Sequence, residues 1–463
     1  MEFTEASPLL SKATPVVHPQ ECQRHQHILR CFLKLKRTVS RSKGLFKTEY
    51  AHDIPSGHDP KVRQSTIEDR RWSVYISRAI HRFSIWWACI PNTPVAGTML
   101  EKPGSYGEGT WKLDQMPPLD ILMVLHALTI HSRAFNEDCF RHQKMALWNE
   151  GFPLALASQS IDQNLQYNCS EASKLHFEEK TTLAWDNLDD PDYVYIECFR
   201  CRRQTPVQWT TRRQKGLADN GFTQQCQFCR FILRRDSLLV QKLRQDFHSL
   251  LEKNIPLPGT CWGTGDATLN PNKTTNELFR HSLRPILLDE TRPSNLFPSM
   301  TQIIETSGST VGGKLLPMLH DVFKHYQYVG NSSCDLHAAV WRILQSASTT
   351  SGIKLSENEL QFSRIEAQYA SYLRQRSKDP GTSNIVADVE DPVILVWTTH
   401  QLTPRSYYDF SRSTTNGVLV DWEPPHGSAT CNLCYTLQPP SFIRRLIKGI
   451  TSLDEWKEWL FTV

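Results

Sequence analysis

The stretch DILMVLHALTIHSRAF, Asp120–Phe135, lies without a gap against PVILVWTTHQLTPRSY, Pro392–Tyr407. Four consecutive aliphatic positions match, Ile121 to Val124 against Val393 to Val396. Arg133 matches Arg405, and Phe135 matches Tyr407. Each copy reads as an apolar helix, a short polar break, and a second helix that opens with Arg and an aromatic. Thr403 is a suitable N-cap and Pro404 a suitable first-turn residue, since the first turn has no use for the missing N–H. The repeat predicts a mainly α protein with two related helical modules.

The surrounding sequence extends that reading. Trp72, Ile76, Ile80, Phe83, Trp87 and Ile90 recur at three- and four-residue steps and predict a helix over 68–90, ended by Pro91 and Pro94. Gly104, Gly107 and Gly109 form a glycine-rich loop without a P-loop lysine, so no phosphate site is read there. Pro117-Pro118 opens the first copy. Leu238, Leu239, Leu243, Phe247, Leu250 and Leu251 predict a helix closed by Pro256 and Pro258. Leu336, Val340, Ile343 and Leu344 mark another. Ser356 and Glu359 form a capping box for a helix that buries Phe362, Ile365, Tyr369 and Leu373. The second copy supplies helices over 392–402 and 404–412. Residues 1–65 lack sustained periodicity and read as a flexible basic tail. Residues 261–312, rich in Thr, Ser, Asn, Gly and Pro, read as a linker. The expected order is therefore tail (1–65), first helical module (66–185), cysteine module (186–260), linker (261–312), second helical module (313–412) and a C-terminal tail (413–463).

Between the copies stand Cys198-x-x-Cys201 and Cys226-x-x-Cys229. Two such knuckles offer four soft ligands to one tetrahedral ion and leave no position for water. We read a structural zinc site in a small zinc-ribbon-like insert of four cysteines, with Trp209 and Phe222 packing against the knuckles. Cys431-x-x-Cys434 is a lone pair, open to a second metal with His426 or to redox chemistry. Thirteen cysteines is an odd number for a disulfide framework. Metal binding in a reducing compartment, cytoplasm or nucleus, accounts better for the paired spacing. The sequons at Asn168, Asn272 and Asn331 are discounted on the same ground. No apolar run approaches the roughly 20 residues that span a bilayer, and no signal-peptide core is present. Glu5 with Leu9-Leu10 is a weak match to an acidic dileucine sorting signal.

Net charge is +4, unevenly spread. Residues 198–253 carry 12 Lys/Arg against 4 Asp/Glu, a local +8, and residues 1–47 carry 9 against 3, a local +6. Arg200, Arg202, Arg203, Arg212 and Arg213 in the cysteine module are therefore candidate nucleic-acid contacts, with Lys215 and Arg230 beside them.

Several blocks together resemble the glycine-rich domain-containing protein family in its fungal form. They are Arg82-Phe83-x-x-Trp86-Trp87, Pro117-Pro118-Leu119-Asp120, Arg133-Ala134-Phe135-Asn136-Glu137-Asp138-Cys139, the two cysteine knuckles with Leu243-Arg244-Gln245-Asp246, and Trp397-Thr398-Thr399-His400-Gln401-Leu402 followed by Pro404 and Tyr407-Tyr408. The blocks cover about residues 70–435. The resemblance implies that Asp120, His126, Arg133, Phe135, Trp397, His400, Gln401 and Tyr407 are family signature positions. The family's signatures usually read Trp-His-x-His. Here each copy keeps one histidine, His126 in the first and His400 in the second, and the glycine-rich region is absent, as in a shortened member.

Some members of that family are described as resembling 2-oxoglutarate-dependent dioxygenases. Such a site wants two histidines and a carboxylate on one face of an iron. The only close local match is His176-Phe177-Glu178, in a segment without a strand pattern. His126 and His400 each lie on an apolar helix face and read as core histidines. No G-x-S-x-G elbow is present. The leading expectation is a non-catalytic scaffold with unnamed protein partners and no small-molecule substrate. A nucleic-acid-binding module and a dioxygenase-like metal enzyme are the alternatives.

Overall fold

The computed structural model describes residues 16–50, 60–93, 111–261, 273–287, 330–355, 359–378 and 391–421, with single positions 303, 322, 325 and 326. The glycine-rich loop, the Asp379-Pro380-Gly381 turn, Ser356, the dileucine match, His426, Cys431 and Cys434 lie outside the described residues. Helices dominate. In chain order they are α1 (Pro19–Arg41), α2 (Pro60–Cys89), α3 (Leu119–Thr129), α4 (Ser132–Arg141), α5 (Met145–Glu150), α6 (Leu154–Gln159) and α7 (Glu171–Thr181). After the cysteine module come α8 (Arg235–Lys253), α9 (Lys273–Leu287), α10 (Leu336–Thr350), α11 (Glu359–Lys378), α12 (Asp391–Gln401) and α13 (Pro404–Thr414).

Two backbone bonds at the break are the same in both copies. In the first copy the amide of His131 donates to Leu128 at 3.1 Å and that of Phe135 to His131 at 2.8 Å. In the second, Thr403 donates to His400 at 3.0 Å and Tyr407 to Thr403 at 2.9 Å, the same offsets 272 positions later. Pro404 takes the first helical position, as its fixed φ allows. The Thr403 hydroxyl, however, turns back to the carbonyl of His400 at 2.8 Å and does not cap α13.

The copies are not independent modules. One apolar core takes in Trp72, Ile121, Leu125, Trp148, Leu336, Ile343, Trp397 and Tyr407. Burying side chains of this size contributes about 1.5–3 kcal/mol each, which favours closing the copies on one another. Gly151 marks the tightest point. Its neighbour Phe152 donates its amide to Leu402 at 2.9 Å, and a Cβ on Gly151 would sit 2.4 Å from the Leu402 carbonyl oxygen.

Two expectations are corrected. Residues 1–65 are not a flexible tail throughout, because 19–41 form α1 and bury Cys22, His25, Gln26, Ile28, Leu29, Phe32 and Val39. The stripe has helical spacing, but Cys, His and Gln interrupt its apolar character, and their polar atoms bond far along the chain. Gln26 donates to the carbonyls of Thr350 at 2.9 Å and Ile353 at 2.8 Å. The basic residues Arg24, Arg30, Arg37 and Arg41 stay exposed on the other side. Nor is 261–312 structureless. Residues 273–287 form α9, which packs Phe279, Leu283 and Leu287 onto Leu243, Phe247 and Leu250 of α8 in a second, smaller core.

Helix α2 begins eight residues before the expected start and buries Arg70, Arg71, Arg78 and Arg82. Arg82 lies 2.8 Å from Asp120, pairs with Asp190, and donates to the carbonyls of Ala184 and Trp185, both at 2.9 Å. Arg78 holds Asn187 and the carbonyls of Asp190 and Pro191. The acidic segment 186–192 is therefore clamped to α2, and this clamp aims the chain into the cysteine module. No helix among the described residues is long and apolar enough to cross a membrane.

Candidate metal centre

Two short antiparallel hairpins build the site. Strand β1 (Tyr193–Glu197) pairs with β2 (Gln204–Gln208), and β3 (Thr223–Gln225) pairs with β4 (Ile232–Arg234). Each hairpin turns through six residues that begin with C-x-x-C-Arg, and the two turns share one backbone pattern. Cys198 donates its amide to Arg203 at 2.9 Å, and Arg202 donates back to Cys198 at 2.7 Å. Cys226 donates to Phe231 at 2.8 Å, and Arg230 donates back to Cys226 at 3.1 Å. Arg202 and Arg230 sit in left-handed backbone, φ 60° and 61°, where glycine is the easier residue. Each knuckle holds this conformation with its own amide bonds.

The four sulfurs lie within 4.8 Å of one another and can hold one metal ion. The Cys198–Cys229 and Cys201–Cys226 sulfurs are both 3.6 Å apart. Four metal–sulfur bonds of about 2.3 Å at tetrahedral angles require sulfurs about 3.8 Å apart, whereas a disulfide requires about 2.05 Å. Two of the donors differ in how readily they ionise. Burial works against ionisation at Cys226, yet the Thr205 hydroxyl, 3.4 Å from its sulfur, and the amides of Cys229 and Phe228 hold its pKa down to about 6. Burial pushes the Cys198 thiol up to about 12, against the amides of Cys201 and Arg200. The described cysteines are free thiols.

Phe222 shares the small core under the knuckles with Val207, Leu233 and Leu238. Trp209 does not belong to it. Its ring instead meets His81 of α2 edge-on at 5.5 Å. The aromatic pair that does flank the knuckles is Phe199 with Phe231, ring centroids 4.6 Å apart. The signal for it was a phenylalanine inside the first C-x-x-C and another just after the second. Where the ribbon meets the helices, a cleft of about 420 Å³ opens between Tyr195, Trp209, Arg235, Lys242 and His337.

The histidines of the two copies are not brought together. His126 Nε2 lies 2.8 Å from His25 Nε2, and His25 Nδ1 lies 2.9 Å from the Thr399 hydroxyl. That hydroxyl donates to Leu395 at 2.6 Å, so its oxygen accepts from His25 Nδ1. His25 Nε2 is then bare and accepts from His126, whose own Nδ1 is buried without a partner. His400 bonds Tyr369 and Ser406, each at 3.0 Å. Burial holds His25 and His400 at about 3, and His126 well below the usual value. His176 and Glu178 lie on α7, with Phe177 between them buried against Trp185. Among the described residues, the four cysteines are the one group of three or more side chains placed to share an ion.

The remaining signature positions are structural members. Asp120 accepts from Arg82 and Asn187. Arg133 donates to the Leu419 carbonyl at 3.0 Å, and Phe135 packs on Trp87. Trp397 donates to the Tyr407 hydroxyl at 3.0 Å, which donates to Val420 at 2.5 Å. Gln401 is fully buried and reaches Ser132 of the first copy at 3.4 Å. Arg200, Arg202, Arg203, Arg212 and Arg213 are all exposed on the ribbon. Arg202 pairs with Glu197, and Arg203 lies over the Phe228 ring.

Comparison with known proteins yields no match among family models, curated proteins or solved structures.

Proposed function

We propose that the protein is a non-catalytic interaction scaffold whose ribbon is held by one structural zinc ion. The observation that carries this reading is the four-cysteine cluster at the tips of two matched hairpins. Four thiolates occupy every corner of a tetrahedral ion, leaving no coordination position for water or substrate, and an all-sulfur tetrahedral set suits zinc, with iron the other metal it accepts. The signature histidines support the same reading, since each is absorbed in a separate buried hydrogen-bond set. Free thiols throughout the described chain suit a reducing compartment, cytoplasm or nucleus. We also propose membership of the glycine-rich domain-containing family, on the sequence blocks alone.

Metal analysis of freshly reduced protein tests it, with about one zinc per chain expected. Less than half an equivalent overturns the zinc reading. Stoichiometric iron binding with 2-oxoglutarate turnover, lost in His126→Ala and His400→Ala, would replace the scaffold with the oxygenase alternative.

A further inference from the structure

The loop between the knuckles, residues 209–222, is built around one carboxylate. Asp219 is buried and accepts from the Thr210 hydroxyl at 2.8 Å, the Thr211 amide at 3.1 Å, the Gly216 amide at 2.9 Å and Arg70 of α2 at 3.1 Å. Gly216 is required at this turn, because a Cβ would stand 2.5 Å from the Thr210 Cα. The carboxylate is thus consumed inside the loop, while Arg212, Arg213 and Lys215 are exposed on its outer side. These three cations, with Gln208, Thr223 and Gln224, line a groove of about 410 Å³ in which no described lining residue is acidic.

The other wall of the groove is strand β2, through Pro206 and Gln208. The register pairs Tyr195 with Pro206 and Tyr193 with Gln208, and directly paired residues share a face of the hairpin. Tyr193 and Tyr195 are 44% and 59% exposed, with ring centroids 5.5 Å apart, so two aromatic faces stand open on this side of the hairpin. An exposed aromatic pair beside a row of cations is the arrangement that takes unstacked bases on one side and their phosphates on the other.

We propose that this face binds single-stranded nucleic acid, with Arg212, Arg213 and Lys215 on the phosphates and Tyr193 and Tyr195 under the bases. The proposal rests on the structural-zinc reading, because the first knuckle fixes the β1–β2 turn. A duplex would engage the cations but keep its bases stacked away from the tyrosines.

The test uses full-length, zinc-loaded protein and fluorescence anisotropy with labelled 15-nucleotide oligothymidylate and oligouridylate. Unlabelled 15-base-pair duplex and polyglutamate serve as competitors, and zinc is measured in every sample. We expect a single strand to bind at least tenfold more tightly than duplex. Three neutralised phosphates give a log–log salt slope of about −2. The double variant Tyr193→Ala with Tyr195→Ala should lose about tenfold or more in affinity and keep that slope. The triple variant Arg212→Ala, Arg213→Ala, Lys215→Ala should flatten it. With one zinc bound, absence of oligonucleotide binding overturns this inference and leaves the scaffold reading standing. The same holds if polyglutamate competes as well as the oligonucleotide, or if the tyrosine variant binds as tightly as the parent. Absence of zinc from freshly reduced protein overturns both together. All five side chains are exposed, so their loss should leave the fold and the zinc content unchanged.

Discussion

Acidification from pH 7.5 to 5.5 should cost this protein most of its stability. Burial lowers the pKa of His25, His131 and His400 to about 3, of His142 and His325 to about 4, and of His126 well below its usual value. All six stay neutral when folded, whereas in the unfolded chain each titrates near 6.5. The unfolded state therefore binds more protons below pH 6.5, and folding stability falls as pH falls. Between pH 7.5 and 5.5 each such group removes about 1.4 kcal/mol, so six remove about 8, against a total typically of 5–15 kcal/mol. His81 and His337 shift in the same direction. Burial shifts Asp120 and Glu137 with the opposite sign, raising their pKa values, so the carboxylates work against this loss and do not add to it. The assay is urea unfolding at half-unit pH steps, read by tryptophan fluorescence. Replacing His25 and His126 together by leucine should reduce the proton uptake on unfolding by about two. A stability change under 2 kcal/mol across the window, or a slope unaltered in the double variant, would refute the account.

Three further outcomes follow from particular contacts. Arg82→Met should destabilise by about 3–5 kcal/mol in the same urea assay, because it strands Asp120 as a buried charge without its guanidinium. A loss under 1 kcal/mol would show that the clamp is dispensable. Gly151→Ala should cost more than 1 kcal/mol, since φ is +72° and the Leu402 oxygen stands 2.4 Å from the Cβ position; an unchanged melting temperature counts against that contact. Cys226→Ser, or chelation, should abolish zinc binding and raise hydrogen exchange over 193–234 while α3 and α12 stay protected. Equal loss of protection throughout would mean that the ribbon is needed for the core to fold.

The sequence made some of this legible and hid the rest for identifiable reasons. The repeat was visible because its apolar helices are nearly continuous, and the cysteine spacing was visible because ligand geometry constrains it. Helix α1 was missed because His25 and Gln26 interrupt its buried stripe, and both types look like surface residues until their distant partners are known. The buried arginines of α2 were hidden likewise. Arg71, Arg78 and Arg82 fall on one face at helical spacing, but only the fold reveals that the acidic run at 186–192 lies against Arg78 and Arg82 while Ser40, Thr48 and Glu49 hold Arg71. His25 could not have been paired with His126 from sequence, since 101 positions separate them. The groove beside the tyrosines depends on strand register, which short hairpins specify only once formed.

The long-range bonds of α1 bear on how the protein is made. His25 waits for Thr399, which lies 374 positions later, and the amide of Val16 bonds Glu366 at 2.9 Å across 350 positions. At a synthesis rate of about 5–20 residues per second, the helix leaves the ribosome on the order of 20–70 seconds before those partners exist. Throughout that interval Cys22, Ile28, Leu29 and Phe32 lack part of the surface they finally cover. Among the described helices the first, α1, is therefore completed by α12, and a chain ending before residue 391 would leave part of the α1 face uncovered. Holding chaperones and proteases recognise such faces, so the exposure of α1 reports whether translation has reached the second copy.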